Sequence, residues 1–142
     1  MGILMQIFLG SVILGACSLI HLMLLIGAIR VLRKMAGPAQ PLRSTHQVLR
    51  LMVFAFAVVI FAHTVQVWIW AGAFRALDVL PNISDAIYFS LVTYTTVGYG
   101  DVTVGGGFRI FGAMAAVTGL LNFGLSTAFL VGLFDRTLPN RH

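Results

Sequence analysis

Glutamate is absent from this chain, lysine occurs once, and charged residues of every kind fill only 9% of its 142 positions. Because 59% of the residues are hydrophobic, no single core of this size could bury the apolar surface, which excludes a water-soluble globule. The lone cysteine, Cys17, excludes an intrachain disulfide and says nothing of redox compartment. Cys17 and His21, four residues apart, make half of a metal site at most, with no second cysteine and no glutamate to complete it. Repeated arginines are missing from every long apolar run, which argues against a voltage sensor.

What the chain does have is three uncharged apolar runs, residues 2–29, 51–74 and 110–134. A hydrocarbon layer about 30 Å thick needs about 20 apolar residues per helix, so each run predicts a membrane span. A fourth apolar stretch, 86–97, is too short to cross. Between the first two runs lie Arg30, Arg33, Lys34, Arg43 and Arg50 without one acid, while Arg75 and Arg109 on the opposite side are matched by Asp78, Asp85 and Asp101. The tail adds Arg136 and Arg141 against Asp135. The excess of positive charge places the 31–50 linker and the C-terminus in the cytoplasm, and the N-terminus and the 75–109 segment outside. Leu14-Gly15-Ala16-Cys17 has the look of a lipoprotein cleavage box, yet no basic residue precedes it and the apolar run continues beyond. An uncleaved first span is therefore expected.

The segment between the second and third spans reads as a dip into the membrane and back. Pro81-Asn82-Ile83-Ser84 forms a turn with Ser84 as helix N-cap and Asp85 in the first turn. A helix over 85–94 would descend about 15 Å at 1.5 Å per residue, and an extended return over 96–100 at about 3 Å per residue would regain the outer surface. Non-helical backbone at that depth persists only when walled by protein or lining water. The return carries Thr95-Thr96-Val97-Gly98-Tyr99-Gly100-Asp101. Glycines at alternating positions let an extended strand turn its carbonyls to one side, because glycine visits left-handed angles without steric cost. Val97 and Tyr99 are then free to point backward, and the Thr96 hydroxyl adds an oxygen at the inner end. Carbonyls stacked this way replace the hydration shell of a potassium ion. A Gly-Tyr-Gly tripeptide by itself is a common turn; the flanking helix and spans give this one its meaning.

One strand supplies a quarter of such a ring and no second strand of the kind occurs, so a homotetramer with fourfold symmetry is expected. On the third span Gly112, Ala116, Gly124, Ala128 and Gly132 form a small-residue stripe interrupted by Leu120, suited to close helix approach. The neighbouring stripe of Phe123, Thr127, Val131 and Asp135 is assigned to the pore: Thr127 at a water-filled cavity, Val131 near an inner constriction. Asp135 reads either as an acidic ring at the cytoplasmic mouth or as a solvated helix end beside Arg136. Gly119 is either a bend or one more packing glycine.

With these residues in hand, 86–101 and the helix after it resemble the pore module of potassium channels, bacterial ones in particular. The resemblance covers roughly 68–136; it is strongest over Thr93-Tyr94-Thr95-Thr96-Val97-Gly98-Tyr99-Gly100-Asp101 and extends to Gly119 and Phe123-Gly124-Leu125-Ser126-Thr127. It implies potassium coordination by the carbonyls of Thr96, Val97, Gly98 and Tyr99, with Gly100, Thr95, Asp101 and Tyr88 in support and Tyr88 bonded to Asp101. It also implies a hinge at Gly119. Where some relatives carry a carboxylate behind the filter, this chain has Val92, so a filter gate using that acid is not expected. The first span is an addition to the two-span pattern and is expected to pack outside the second.

Weaker signals are His63 and Gln66, three apart on one face of the second span. They read as a proton-sensitive contact or as interhelical hydrogen bonds. Trp68 and Trp70 read as interface anchors. The basic linker with Pro38 and Pro41 would suit anionic lipid headgroups, although topology alone accounts for its charge.

The expected architecture is an all-α membrane protein with three transmembrane helices, a re-entrant pore helix and an extended filter per subunit. Its divisions are an additional first helix over 1–30, a basic linker over 31–50, a pore module over 51–136 and a short tail over 137–142. The expected function is passive potassium-selective permeation across the cell membrane by a homotetramer in contact with lipid, with K+ as permeant ion. No cofactor, enzymatic chemistry or nucleic-acid partner is expected. The short tail leaves no cytoplasmic ligand-binding domain, so gating falls to the pore, the membrane or a separate regulatory protein. A non-conducting subunit that binds potassium and signals to a partner is the alternative.

Overall fold

The computed structural model describes the backbone at residues 1–37 and 44–137 and the side chains at 1–37 and 44–135. Pro38, Pro41 and Arg43 of the linker, the Arg136 side chain and the tail beyond Thr137 lie outside the described residues. The elements run α1 (Ile3–Ala36), α2 (Thr45–Ala76), α3 (Ile83–Tyr94), a 3-10 turn (Gly106–Phe108) and α4 (Arg109–Thr137), so the described chain is all-α. α1, α2 and the stretch containing α4 are long and apolar enough to cross a membrane; α3 is not.

α1 and α2 outrun the hydrophobic thickness. At 34 residues, α1 is about 51 Å long, so Arg30, Arg33 and Lys34 ride on a helical extension past the apolar part. Nothing breaks the helix until Gly37, whose φ of 74° ends it. At the other end of α2 the amide of Val79 donates to the carbonyl of Phe74 and that of Asp78 to Arg75, with Asp78 in the left-handed region at φ 51°. That pair of bonds is the Schellman closure of a helix terminus, and it turns the chain sharply toward α3.

α3 begins two residues earlier than the sequence reading placed it. Asn82, not Ser84, is the N-cap: its side-chain oxygen accepts from the Ser84 amide at 3.0 Å. Both are good capping residues two positions apart, and the local sequence does not choose between them.

Two of the long helices pack on the short one, and the third packs on those two. α3 lies against both α2 and α4, while α1 packs on α4 as well as α2. The first helix therefore does not simply sit outside the second, as its sequence suggested. Gly10 of α1 lets Met114 of α4 approach so closely that a Cβ there would overlap its side chain. Nearer the N-terminus, Gln6 Oε1 accepts from the amides of Ile110 and Phe111 at 3.2 and 3.3 Å, satisfying two of the donors that every helix start leaves free.

The half of the bundle beside α3 is held by aromatics. Phe74 meets Phe89 and Phe111 edge to face at 5.1 and 5.5 Å, and Trp70 lies 5.3 Å from Phe111. Such pairs contribute about 0.5–1.5 kcal/mol each beyond their contact area. Trp70 is thus fully buried rather than an interface anchor, whereas Trp68 is exposed. Residues two apart on a helix point about 200° apart, and only one of the two reaches the surface.

Candidate functional site

The filter segment starts where α3 ends and is tied to it by main-chain bonds. Thr95 closes the helix, its amide and hydroxyl both donating to the Leu91 carbonyl at 3.0 and 2.7 Å. The Thr96 amide donates to Thr93 and the Gly98 amide reaches back to Val92, at 2.9 and 3.0 Å. Val92, where an acid was considered, is buried.

Beyond Thr95 the sign of φ alternates. Thr96, Gly98 and Gly100 have φ of 62°, 53° and 80°, and the residues between them stay negative. A chain that inverts at every second residue turns successive carbonyls to one side. The glycine positions were legible in the sequence; Thr96 was not, because a β-branched residue is costly there. Gly98 and Gly100 face open space, so their requirement is conformational, not steric. Tyr99 is 74% exposed and Val97 is exposed too.

At the outer end the Tyr88 hydroxyl donates to Asp101 Oδ2 at 2.6 Å. That phenol holds the Asp101 carboxyl below the usual aspartate range. A groove of about 400 Å³ runs behind the filter, lined by Phe89, Val92, Thr93, Val104 and Arg109 among others.

Gly119 of α4 lies directly under the end of α3. A Cβ at Gly119 would fall inside the Tyr94 carbonyl, and α4 runs unbroken through it. Of the two readings, close packing describes the geometry. The small-residue stripe divides: Gly112 is packed by Val104 and Phe89, while Gly124 and Gly132 have nothing near them. Thr127, Val131 and Asp135 are exposed, and the Thr127 hydroxyl donates to the Phe123 carbonyl at 2.9 Å. Phe123 stacks on His63 at 4.4 Å, turning part of its ring away from that exposed face.

Below the filter, four helices bring polar groups together. His63 Nδ1 lies 2.9 Å from the Tyr94 hydroxyl, and His63 Nε2 lies 3.1 Å from Ser126 Oγ. Ser126 Oγ in turn lies 2.9 Å from His21 Nε2. His63 thus takes up interhelical hydrogen bonds. Its sequence partner Gln66 is fully buried, and neither of its amide atoms finds a partner. His21 joins this group and not a metal cluster: no set of three or more His, Cys, Asp or Glu gathers among the described residues. Tyr94 and Ser126 lie in the motifs that carry the resemblance, yet no sequence signal disclosed their contacts or those of Gln6, because these partners are set by helix packing and not by spacing.

A family model described as an ion channel matches residues 48–136. The chain belongs to the ion channel family. Its curated relatives include potassium voltage-gated channel subfamily A member 6 of Mus musculus, 37% identical over 60% of this chain and 16% of the relative. Subfamily A member 2 of Canis lupus familiaris is 33% identical over 68% of this chain and 19% of the relative. Subfamily A member 4 of Homo sapiens is 34% identical over 66% and 14%. The chain spans less than a fifth of the length of these relatives. No solved structure matches it. The matched region runs from α2 through α4, and the three long apolar helices fit a multi-pass membrane protein of the ion channel family. α1 lies wholly outside the matched region.

Proposed function

We propose that this chain is one subunit of a homotetrameric, potassium-selective channel that lets ions pass down their electrochemical gradient. The observation that carries the reading is the alternation of φ at Thr96, Gly98 and Gly100 in a segment exposed along its length. Four such segments about one axis would present rings of carbonyls from Thr96, Val97, Gly98 and Tyr99, with the Thr96 hydroxyl below. A potassium ion entering them exchanges water oxygens for peptide oxygens at similar distance, and several sites in series let one ion displace the next. The carbonyl end of α3 points toward the membrane centre and favours a cation there. Tyr88 and Asp101 brace the outer mouth, and Gly100 makes the last inversion.

The single chain also argues for neighbours. Its filter backbone has no wall on one side, and peptide groups at that depth require one. The groove behind the filter and the open faces of Gly124 and Gly132 are where neighbouring subunits would pack. Thr127, Val131 and Asp135 then face the axis on the cytoplasmic side. In this reading residues 51–136 are the pore module, 1–30 an added helix, 31–50 a cytoplasmic linker and 137–142 a cytoplasmic tail. The N-terminus lies outside, as the positive-inside distribution requires.

The test is the reversal potential of the purified protein in a planar bilayer with potassium on one side and sodium on the other. Reversal near the potassium equilibrium potential is expected; reversal near zero would overturn the selectivity. Gly98→Ala should abolish selective flux while the tetramer persists, and unchanged potassium selectivity in that variant would sink the filter assignment.

A further inference from the structure

We infer that His21 of the added helix is a positioning residue for the filter, acting through an oriented chain of hydrogen bonds that runs His21, Ser126, His63, Tyr94. The inference rests on the channel reading above and deepens it, since Tyr94 is the last residue of α3 and its successors form the filter.

The protons shared along these bonds fix the direction of the hydrogen-bond chain. Ser126 Oγ lies within hydrogen-bond distance of the Nε2 atoms of both His21 and His63. One hydroxyl has a single proton, and Ser126 Oγ bonds no other group among the described residues, so it donates to one ring and accepts from the other. Each neutral imidazole also carries one proton, on one nitrogen only. The chain is therefore directional and has just two neutral forms. In the first, His21 Nε2–H donates to Ser126, Ser126 donates to His63 Nε2, and His63 Nδ1–H donates to the Tyr94 oxygen. Beside Tyr94 lies the Asn122 amide, neither of whose polar atoms completes a bond among the described residues, so it can meet the Tyr94 hydroxyl in either direction. In the second, every donor reverses, and the proton of His21 sits on Nδ1.

His21 Nδ1 is buried and faces no partner, and this decides between the two forms. The reversed chain strands an N–H there. The forward chain strands only a lone pair, and the Asn122 amide can meet Tyr94 in both forms. Orphaned buried donors are the rarer and costlier defect. The forward direction is the resting one, and its first donor belongs to α1. His21 thus sets which nitrogen of His63 carries the proton, and so whether Tyr94 receives a hydrogen bond or gives one.

Geometry carries that choice to the filter. The Tyr94 carbonyl is seated against Gly119 with no side chain between them, and the adjoining Val92 carbonyl holds the Gly98 amide. A Tyr94 ring that shifts to find a new partner moves the end of α3 on which those contacts depend.

Nitrogen-15 spectra of the imidazole rings in lipid bilayers test the direction. His63 should be protonated at Nδ1 and bare at Nε2, and His21 the reverse. His21→Leu and Ser126→Ala should each turn His63 into a mixture of tautomers. His21→Gln, whose amide nitrogen stands in for Nε2–H, should restore the resting form. A His63 protonated at Nε2 in the unmodified protein, or unmoved in His21→Leu, overturns the inference. Single-channel records test the coupling. Mean open time should change about three- to tenfold, the worth of one hydrogen bond, in His21→Leu and in Ser126→Ala. The double variant should change no further, and His21→Gln should match the unmodified protein. Additive effects, or tautomers that shift while open times stand still, also overturn it. Ser126→Ala removes one oxygen only and serves where His21→Leu does not fold. The spectra report on the chain whether or not ions pass, so absence of potassium selectivity in the unmodified protein would strike the channel reading alone.

Discussion

Thr96 holds a left-handed backbone angle that costs an L-residue about 1–2 kcal/mol, and the bonds from its own amide and from Gly98 keep it there. Strain of this kind persists where surrounding contacts over-determine it. Gly119 is held to a different standard, since its constraint is space. Gly119→Ala should push the end of α3 aside and lower both thermal stability and current. Gly15→Ala on α1, with nothing within 4 Å of its Cβ position, should be neutral or stabilising by up to about 1 kcal/mol. Thermal unfolding of both in detergent checks this, and equal behaviour would refute the packing role of Gly119. Asp101 gives a pH expectation. Its carboxyl lies below the ordinary value of about 3.9 because Tyr88 donates to it. The contact is then complete above that value and is lost as pH falls through the lower folded-state value. Potassium selectivity should be indifferent to outer pH between about 7 and 5 and fail only below about 4. Tyr88→Phe should move the failure upward; a filter that fails already at pH 6 would contradict this origin.

At the scale of elements, the long helices were legible because an uncharged run of 24 or more residues, such as 51–74, has few other fates. The backbone inversions at Gly98 and Gly100 were legible because they are contained in consecutive residues. What the sequence did not disclose was rotation and docking. Trp68 and Trp70 are equally apolar, and which faces lipid is set by the phase of α2 against α4. Asn82 and Ser84 are equally able caps. The seat of α1 on α4 depends on His21 meeting Ser126 across 105 residues and on Gln6 reaching the start of α4, and neither leaves a local pattern. Gln6 yields a prediction of its own. Gln6→Leu leaves two amides of α4 without an acceptor and should destabilise by about 0.5–2 kcal/mol, as a lost N-cap does. Gln6→Glu should keep the acceptor and gain from the positive helix end. Melting temperatures that place the two variants together would show that the cap contributes nothing.

For the whole molecule, the proposed topology can be read by labelling. Cys17 is buried in the apolar core, so a Cys17→Ala background keeps that site apolar and carries no thiol of its own. Thr103→Cys, after the filter, should react with an impermeant reagent added outside intact cells, and Gln47→Cys, at the start of α2, only after the membrane is opened. Both positions are exposed. The opposite pattern would invert the orientation and with it the side from which ions meet Tyr99 first.

The bare flank of the filter bears also on how such a protein comes into being. A newly made chain that reaches the bilayer alone carries peptide oxygens for which lipid offers no partner. In the proposed tetramer the finished form is reached only when the chain meets its own kind, and the folded fraction follows the density of subunits in the membrane. Sparse synthesis should yield strained, short-lived monomers, and abundance itself becomes a condition of the fold.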